Sequence, residues 1–189
     1  MEKSWQQLEN WCMACNRCTL GSTRTNVVIG RGCKTAGIMF IGEGPGEQED
    51  LQGKAFVGPA GQLLDKMMEA TGLSEDDIYI ANVVKCRPPH NRDPKDEEQT
   101  ACMNYLRYQV ALVKPRIIVC LGRIAAQAII DKNYKITKQH GQWIEKKGIL
   151  ITATYHPSAL LRDETKKRPA WEDFKSIRDR YRELNGNSL

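Results

Sequence analysis

Four short runs of apolar residues constrain the fold of this chain more than any other feature of its sequence. They lie at 36–41, 78–84, 116–121 and 149–154. The runs are largely hydrophobic and do not alternate, which is typical of strands in a parallel sheet that is covered on both faces. Segments with helical periodicity separate the runs and follow the last one, at 60–71, 94–113, 123–131 and 171–184. This order predicts an α/β layered fold with right-handed crossovers.

The second helical segment has the clearest start signal. We predict Asp93 as its N-cap and Pro94 as its first residue, with Glu97 and Glu98 in the first turn. A chain of 189 residues that is 41% hydrophobic is long enough to bury one sizeable core but short for two independent domains. We therefore expect a single domain over residues 1–189.

Charge and hydropathy limit the cellular setting. The N-terminal residues are polar, and the chain has no apolar run long enough to span a membrane, so neither secretion nor membrane insertion is indicated. We expect a cytoplasmic protein. The net charge of +5 suits an anionic partner, but it is too small to identify nucleic acid by itself.

Glycine-rich and polar segments follow each predicted strand. Because ligands of open α/β sheets bind outside the carboxyl ends of the strands, we expect these segments to form one site. They lie at 42–47, 82–86, 122–123 and 155–158.

The glycine-rich loop at 42–46 is weak evidence for a ligand when it is taken alone. Its backbone N–H groups are unhindered, but an ordinary tight turn explains Gly-Pro-Gly equally well. The loop lacks the lysine of a P-loop and the glycine spacing of a dinucleotide fingerprint. Nucleotide-cofactor binding is therefore disfavoured.

The seven cysteines favour metal or cluster ligation over disulfides, because a cytoplasmic chain keeps its thiols reduced. Cys15 and Cys18 form a C-x2-C pair, and Cys86 and Cys102 lie far downstream. Four thiolates suit an iron-sulfur cluster, although a structural zinc site also accepts them. Cys12 extends the C-x2-C spacing and can exchange roles with a neighbour. The other two are interpreted as small buried apolar side chains: Cys33 and Cys120.

The segment 156–162, His-Pro-Ser-Ala-Leu-Leu-Arg, has a structural and a functional interpretation. A histidine directly after a strand is often a hydrogen-bonded structural residue, but its expected place opposite the glycine-rich loop favours a functional role. The leucines and the following arginine begin a helix or form a surface wedge with a phosphate contact. The residues alone favour the helix.

Taken together, these motifs resemble the family 4 uracil-DNA glycosylases, which are the iron-sulfur type. The resemblance covers nearly the whole chain, through segments 15–20, 25–28, 42–50, 53–64, 82–89, 91–94 and 156–158. Several motifs in one order are far more specific than any one of them. The resemblance implies a three-layer α/β sandwich, in which helices flank a short, mainly parallel sheet of four central strands.

The resemblance also implies a cofactor and an activity. One 4Fe-4S cluster is expected on Cys15, Cys18, Cys86 and Cys102, which leaves Cys12 as a bystander. The protein is expected to act as a monomer on uracil in single- and double-stranded DNA. It would flip deoxyuridine out, hydrolyse the N-glycosidic bond and leave an abasic site for base excision repair, without cleaving the strand.

Roles in uracil recognition follow by motif. Phe56 is expected to stack on the extruded base and Asn82 to read its edge, because a side-chain amide can accept from N3–H and donate to O4. His156 is expected to donate towards O2, where negative charge develops as the base leaves. Backbone groups of three residues are expected to line the pocket: Gly42, Glu43 and Gly44.

The chain departs from the cluster-free uracil glycosylases in its first motif. Those enzymes have an aspartate at the position of Gly44 and a tyrosine at that of Gly46, so the usual water-activating carboxylate is missing here. Glu47 is the candidate either to position the water or to shape the methyl-facing side of the pocket. Leu160 is expected to enter the vacated base stack, and Arg162 to contact a phosphate.

Two other functions remain open at this point. A non-catalytic iron-sulfur module that binds DNA or assists another protein would not need a base-reading pocket, so the residues assigned above weigh against it. A redox sensor or electron carrier is disfavoured because the cysteines are spread widely through the fold. The segment 87–93 lacks the basic insertion of a glycosylase subclass with a histidine nucleophile, so we expect His90 at the surface.

Overall fold

The structure is a computed structural model that describes residues 4–186. A sheet of six strands forms its middle layer. The strands are β1 (Arg31–Gly32), β2 (Ile38–Gly42), β3 (Ile78–Asn82), β4 (Ile117–Leu121), β5 (Ile144–Lys146) and β6 (Ile149–Thr154). The helices are α1 (Trp5–Met13), α2 (Glu47–Gln52), α3 (Pro59–Thr71), α4 (Asp96–Val113), α5 (Arg123–Ile129), α6 (Ile136–Gln139), α7 (Pro157–Arg162) and α8 (Lys167–Leu184).

The strand order is β1-β3-β2-β4-β6-β5, and the four central strands are mutually parallel. These four strands are the predicted ones, so the α/β fold with a mainly parallel sheet is confirmed. The sheet nevertheless has six strands and not four, because β1 and β5 add short antiparallel edges. Each of these edge strands has only two or three residues, all of them exposed or half-buried, so no apolar run in the sequence predicts a strand there.

The central strands are buried on both faces. In β2, Met39 and Ile41 pack into one apolar cluster, whereas Ile38 and Phe40 pack into a second cluster on the opposite face. Helices α1, α4 and α5 cover the first face, and α3, α7 and α8 cover the second. This arrangement explains the continuous hydrophobicity of the strands and makes the fold a three-layer sandwich.

The start of the second predicted helix was placed two residues too early. Helix α4 begins at Asp96 with Lys95 as its N-cap, and the Glu98 carboxylate accepts from the Lys95 N–H at 2.8 Å. Asp93 does not cap this helix; its carboxylate pairs with Arg123 at the start of α5. The buried Glu98, in the first turn of α4, therefore satisfies the N–H of the N-cap residue in place of Asp93.

Within residues 4–186, no helix combines the length and the apolar character that a bilayer crossing requires.

Candidate functional site

A cleft of about 640 Å³ lies where the carboxyl ends of the central strands meet the loops that follow them. Its size is ordinary for a small-molecule site. The cleft brings together seven residues that the sequence predicted for catalysis, uracil binding or DNA contact: Glu43, Gly44, Glu47, Phe56, Asn82, His156 and Arg162.

Asn82 forms the floor of the cleft at the end of β3 and is 1% exposed. Its side-chain Oδ1 has no hydrogen-bond partner within the described residues. A buried amide oxygen without a partner costs about 1 to 3 kcal/mol, so its retention points to a ligand donor. Gly42 allows this arrangement, because a Cβ there would lie 2.5 Å from Asn82 Oδ1 and 2.6 Å from the Phe56 ring.

Phe56 presents its ring to the cleft from a backbone with a φ of 53°, in the left-handed region that few non-glycine residues adopt. Arg31 holds this backbone by donating from Nε to Ala55 O at 2.8 Å and from Nη2 to Phe56 O at 3.3 Å. On the other side, Glu49 Oε1 accepts from the N–H groups of residues 57 and 58 at 2.8 and 2.7 Å. The strained conformation is therefore fixed from both sides.

His156 is the N-cap of α7, and its Nδ1 accepts from the Ser158 N–H at 3.1 Å. The pKa of His156 is lowered to about 4, mainly by burial and in addition by the charge of Arg162, with Glu49 opposing both. The imidazole is therefore neutral at pH 7, and because Nδ1 is an acceptor, Nε2 carries the proton. Its ring centroid lies 5.7 Å from that of Phe56. This histidine is a hydrogen-bond donor without a positive charge.

Gly122 makes room for this histidine. It has a φ of +86°, and a Cβ at this position would lie 2.8 Å from His156 Cβ. Any larger residue after β4 would displace the imidazole or strain the turn.

Four acidic side chains line the cleft, and two of them are already bound within the protein: Glu49 by the N–H groups of residues 57 and 58, and Asp93 by Arg123. The other two, Glu43 and Glu47, lie in different environments. The pKa of Glu43 is raised to about 7, mainly by burial and in addition by Asp93, while Arg123 and Arg162 oppose the shift. Glu47 begins α2, its side chain is 62% exposed, and its carboxylate lies 3.5 Å from Arg87 Nη1. Glu43 is therefore half ionised near neutral pH, whereas Glu47 stands at the mouth of the cleft.

Cationic side chains surround the opening: Arg92, Arg123, Arg162 and Lys166. Three of them form ion pairs: Arg92 with Glu98, Arg123 with Asp93, and Lys166 with Asp163. Within residues 4–186, Arg162 has no ion-pair partner, and its side chain is exposed at the end of α7. This arginine is accordingly available for an external anion.

The structure contradicts the assignment of Leu160 to the DNA surface. Leu160 is 1% exposed and packs into the apolar cluster beneath α7, together with Phe174 of α8. The next residue, Leu161, is 51% exposed. The sequence placed an apolar side chain correctly in this helix but chose the leucine that faces the core.

A second cavity lies on the first face of the sheet, where α1 and α4 cover it. All four cysteines that were predicted as ligands line it: Cys15, Cys18, Cys86 and Cys102. Three cationic side chains line it as well, Arg17, Arg24 and Lys85, and no carboxylate does. Arg24 Nη1 lies 3.3 Å from Cys86 Sγ, and the Lys85 N–H donates to Cys102 Sγ at 3.3 Å. The donor set and its positive surroundings fit an anionic iron-sulfur cluster.

The thiols of this cavity need a cationic partner in order to ionise. Burial raises the pKa of Cys102 to about 11 and that of Cys12 to about 12, with Lys85 opposing both shifts. Cys12 is buried and lines the same cavity, so five cysteines meet here. Across the described residues, no three His, Cys, Asp or Glu side chains are arranged to hold a single metal ion. Of the remaining cysteines, Cys120 is buried as predicted, whereas Cys33 is half-buried.

Comparisons with known proteins identify the family of the chain. The sequence profile of the "Uracil DNA glycosylase superfamily" matches residues 29–175. The chain is 45% identical to the type-4 uracil-DNA glycosylase of Sulfurisphaera tokodaii over 185 residues, which are 93% of this chain and 84% of that protein. It is 44% identical to the type-4 uracil-DNA glycosylases of Archaeoglobus fulgidus, with 87% of each chain covered, and of Thermotoga maritima, with 87% and 88% covered. The chain belongs to the type-4 uracil-DNA glycosylase family.

Membership in this family was expected from the motifs, but several cleft residues were not. Ile136 and Thr137 of α6 line the cleft, and no motif in their segment pointed to it. The sequence assigned only the backbone of Glu43 to the site, whereas its carboxyl has the most strongly raised carboxyl pKa in the cleft. The signal that could have found it was the convergence of segments 42–47, 93 and 122–123 on one edge of the sheet.

Proposed function

We propose that the protein flips deoxyuridine out of DNA and hydrolyses its N-glycosidic bond, releasing uracil and leaving an abasic site for base excision repair. The observation that carries this proposal is the unpartnered Oδ1 of buried Asn82. It supplies a hydrogen-bond acceptor in a cleft that also contains an aromatic ring and a neutral histidine. A flipped pyrimidine with an N–H donor matches this site.

Base choice follows from the donor and acceptor pattern. Asn82 Oδ1 accepts from uracil N3–H, and its NH₂ group donates to O4. Cytosine presents the opposite pattern, so both partners would stay unpaired, which commonly gives strong discrimination. Phe56 stacks on the base plane, while the backbone at Gly42, Glu43 and Gly44 lines the pocket.

Bond cleavage is assisted where charge develops. The Nε2–H of neutral His156 donates to uracil O2, which becomes negative as the base departs. A preorganised donor of this kind commonly contributes ~3 to 4 kcal/mol. Because the pKa of His156 is about 4, the imidazole stays in the required form throughout the physiological range.

A carboxylate positions the attacking water. Of the four carboxylates in the cleft, Glu49 and Asp93 are engaged by backbone N–H groups and by Arg123, which leaves Glu43 and Glu47 as candidates. Burial together with a pKa of about 7 favours Glu43. Glu47, which is exposed at the mouth, then shapes the side of the pocket that faces the base methyl position. Matched glutamine variants of the two residues separate these roles.

DNA contact is assigned to the rim. Arg162 binds a phosphate in both single- and double-stranded substrates, and Leu161 is the exposed apolar side chain that can enter a vacated stack. Lys166 also lies at the rim, but its ammonium pairs with Asp163 at 3.1 Å. We therefore propose a monofunctional enzyme that forms no Schiff base and does not cleave the strand.

The cysteine cavity holds one 4Fe-4S cluster through Cys15, Cys18, Cys86 and Cys102. The cluster supplies a structural cross-link and takes no part in hydrolysis. It ties the segment after α1 to the end of β3 and to α4. We further propose that residues 1–189 act as one domain, as a monomer in the cytoplasm, where reduced thiols remain available to iron.

The test is a single-turnover assay with oligonucleotides that carry one uracil, in single strands and in duplexes. Release of free uracil, with strand breakage only after alkali, is the expected result. His156→Ala should reduce the rate, and His90→Asn is the matched control, because His90 is an exposed histidine outside the cleft. DNA binding by the wild type without uracil release would instead identify a non-catalytic binding module.

A further inference from the structure

Lys85 is buried more completely than a lysine normally is. Its side chain is 2% exposed and is among the largest fully buried side chains of the protein. Within residues 4–186 it has no carboxylate partner; its Nζ donates to the main-chain oxygen of Asn82 at 2.6 Å. An ammonium group that leaves water for one neutral acceptor is costly unless a negative charge lies nearby.

The cysteine cavity supplies that charge. Lys85 lines this cavity together with the four predicted ligands, and the main-chain N–H of Lys85 donates to Cys102 Sγ. Four thiolates carry more negative charge than the positive charge of an iron-sulfide core, so the bound cluster is anionic. Its chemistry therefore explains why a lysine is tolerated at this depth.

The ammonium group of Lys85 contacts a residue of the proposed uracil pocket. Asn82 carries both the main-chain oxygen that Lys85 binds and the side-chain amide that lines the cleft. The next two residues bind the glycine-rich loop, because the N–H groups of Val83 and Val84 donate to the oxygens of Gly42 and Glu43 at 2.9 and 3.1 Å. One segment of five residues, 82–86, thus connects a cluster ligand to two walls of the uracil pocket.

We propose that Lys85 is a positioning residue that couples the cysteine site to base reading. Its ammonium is the counter-ion of the cluster, and its hydrogen bond to Asn82 O sets the position of the amide that binds uracil. This inference rests on the proposed function and adds a role for the cluster, which orients the pocket in addition to holding the fold together.

Arg24 provides the matched control. It places a second positive charge on the same cavity, with Nη1 at 3.3 Å from Cys86 Sγ and Nη2 at 3.2 Å from Met13 O. Unlike Lys85, it has no hydrogen bond to Asn82 among the residues that the structure describes. Loss of Arg24 therefore removes charge from the cluster without removing the link to the base-reading residue.

The experiment compares the holoenzyme with Lys85→Met and Arg24→Met. Iron and sulfide content, the reduction potential of the cluster, and affinity for two DNAs are measured. One DNA carries a non-cleavable 2′-fluoro-deoxyuridine and the other an abasic-site analogue. Both variants should lower the reduction potential, because an anionic cluster that loses a positive neighbour accepts an electron less readily. Only Lys85→Met should lose affinity for the uracil DNA, by roughly tenfold or more, with abasic-site affinity unchanged.

A double-mutant cycle with Asn82→Ala separates positioning from general damage. If Lys85 acts through Asn82, Lys85→Met should have little further effect on uracil affinity in the Asn82→Ala background. Lys85→Gln is a second variant, since it keeps a donor for Asn82 O without the charge. It should lose less uracil affinity than Lys85→Met while the reduction potential falls equally.

The outcomes distinguish the two proposals. A wild-type protein that releases no uracil contradicts the proposed function. A wild type that releases uracil, combined with a Lys85→Met variant of undiminished uracil affinity, contradicts only the role of Lys85. Additive losses in the Asn82→Ala background, or equal uracil affinity in the Met and Gln variants, also contradict that role.

Discussion

The ionisation of Glu43 predicts the pH dependence of uracil excision. If the Glu43 carboxylate positions the water, the single-turnover rate should rise with pH through its pKa of about 7. Below that pKa the ionised fraction falls tenfold per pH unit, so the rate should be roughly a tenth of its plateau at pH 6 and about a hundredth at pH 5. His156 adds no step in this range, because its pKa of about 4 keeps it neutral.

The charged neighbours of Glu43 should shift the midpoint of this pH profile in opposite directions. Asp93→Asn removes a negative charge that raises the pKa, so the midpoint should move to lower pH. Arg162→Ala removes a positive charge that lowers the pKa, so the midpoint should move to higher pH. Rates are measured with saturating enzyme, so that weaker DNA binding by Arg162→Ala does not distort the profile.

Glu43→Gln should abolish the step near neutral pH and lower the plateau rate by roughly a hundredfold or more, as is common for a lost acid-base group. Glu47→Gln is the matched control, since it removes a carboxylate from the exposed mouth of the same cleft and should leave the midpoint in place. A step that persists near pH 7 in Glu43→Gln would refute the assignment, and a step lost only in Glu47→Gln would transfer it to Glu47.

The other predictions concern recognition, the cluster, DNA contact and packing. Asn82→Asp should weaken uracil excision and favour cytosine, whereas Phe56→Ala should lower the rate without changing base choice, since stacking contributes ~1 to 3 kcal/mol to any base. Cys102→Ser should lose iron and sulfide, and Cys12→Ser should retain both by elemental analysis. Arg162→Ala should weaken binding to any DNA sequence and reduce the slope of log Kd against log salt by about one. Leu160→Ala should lower the free energy of unfolding by ~2 to 5 kcal/mol, as for other core leucines, whereas Leu161→Ala should keep stability and lose more activity on duplexes than on single strands.

The sequence was sufficient for the central sheet but not for its edges. A strand that is buried on both faces needs a continuous apolar run, so four parallel strands were readable. An edge strand such as β5 needs no such run, because its residues are exposed and its pairing depends on a turn. That turn places Lys147 and Gly148 at φ values of 54° and 77°, as a two-residue hairpin requires.

Those cleft residues that lie at the ends of the central strands could be predicted from the sequence. Gly42 and Asn82 are the last residues of neighbouring parallel strands and are paired in the sheet, so their proximity follows from topology. The pKa of Glu43 was not predictable, because it is set by burial and by charges from two other segments of the chain. The burial of Lys85 was equally unpredictable, because in the sequence Lys85 is only the residue before a predicted cysteine ligand.

The error at Leu160 has a local cause in the short helix α7. Leu160 was assigned by its position in the family motif, without regard to the helix face on which it lies. Successive helical residues are rotated by about 100°, so from one helix start Leu160 faces the core and the neighbouring Leu161 faces solvent. That start is set by His156, whose Nδ1 accepts from the Ser158 N–H. The same hydrogen bond leaves the proton on Nε2, where the proposed reaction needs it. The side chain that supports catalysis in the proposed function therefore also caps the short helix that buries Leu160 and exposes Leu161.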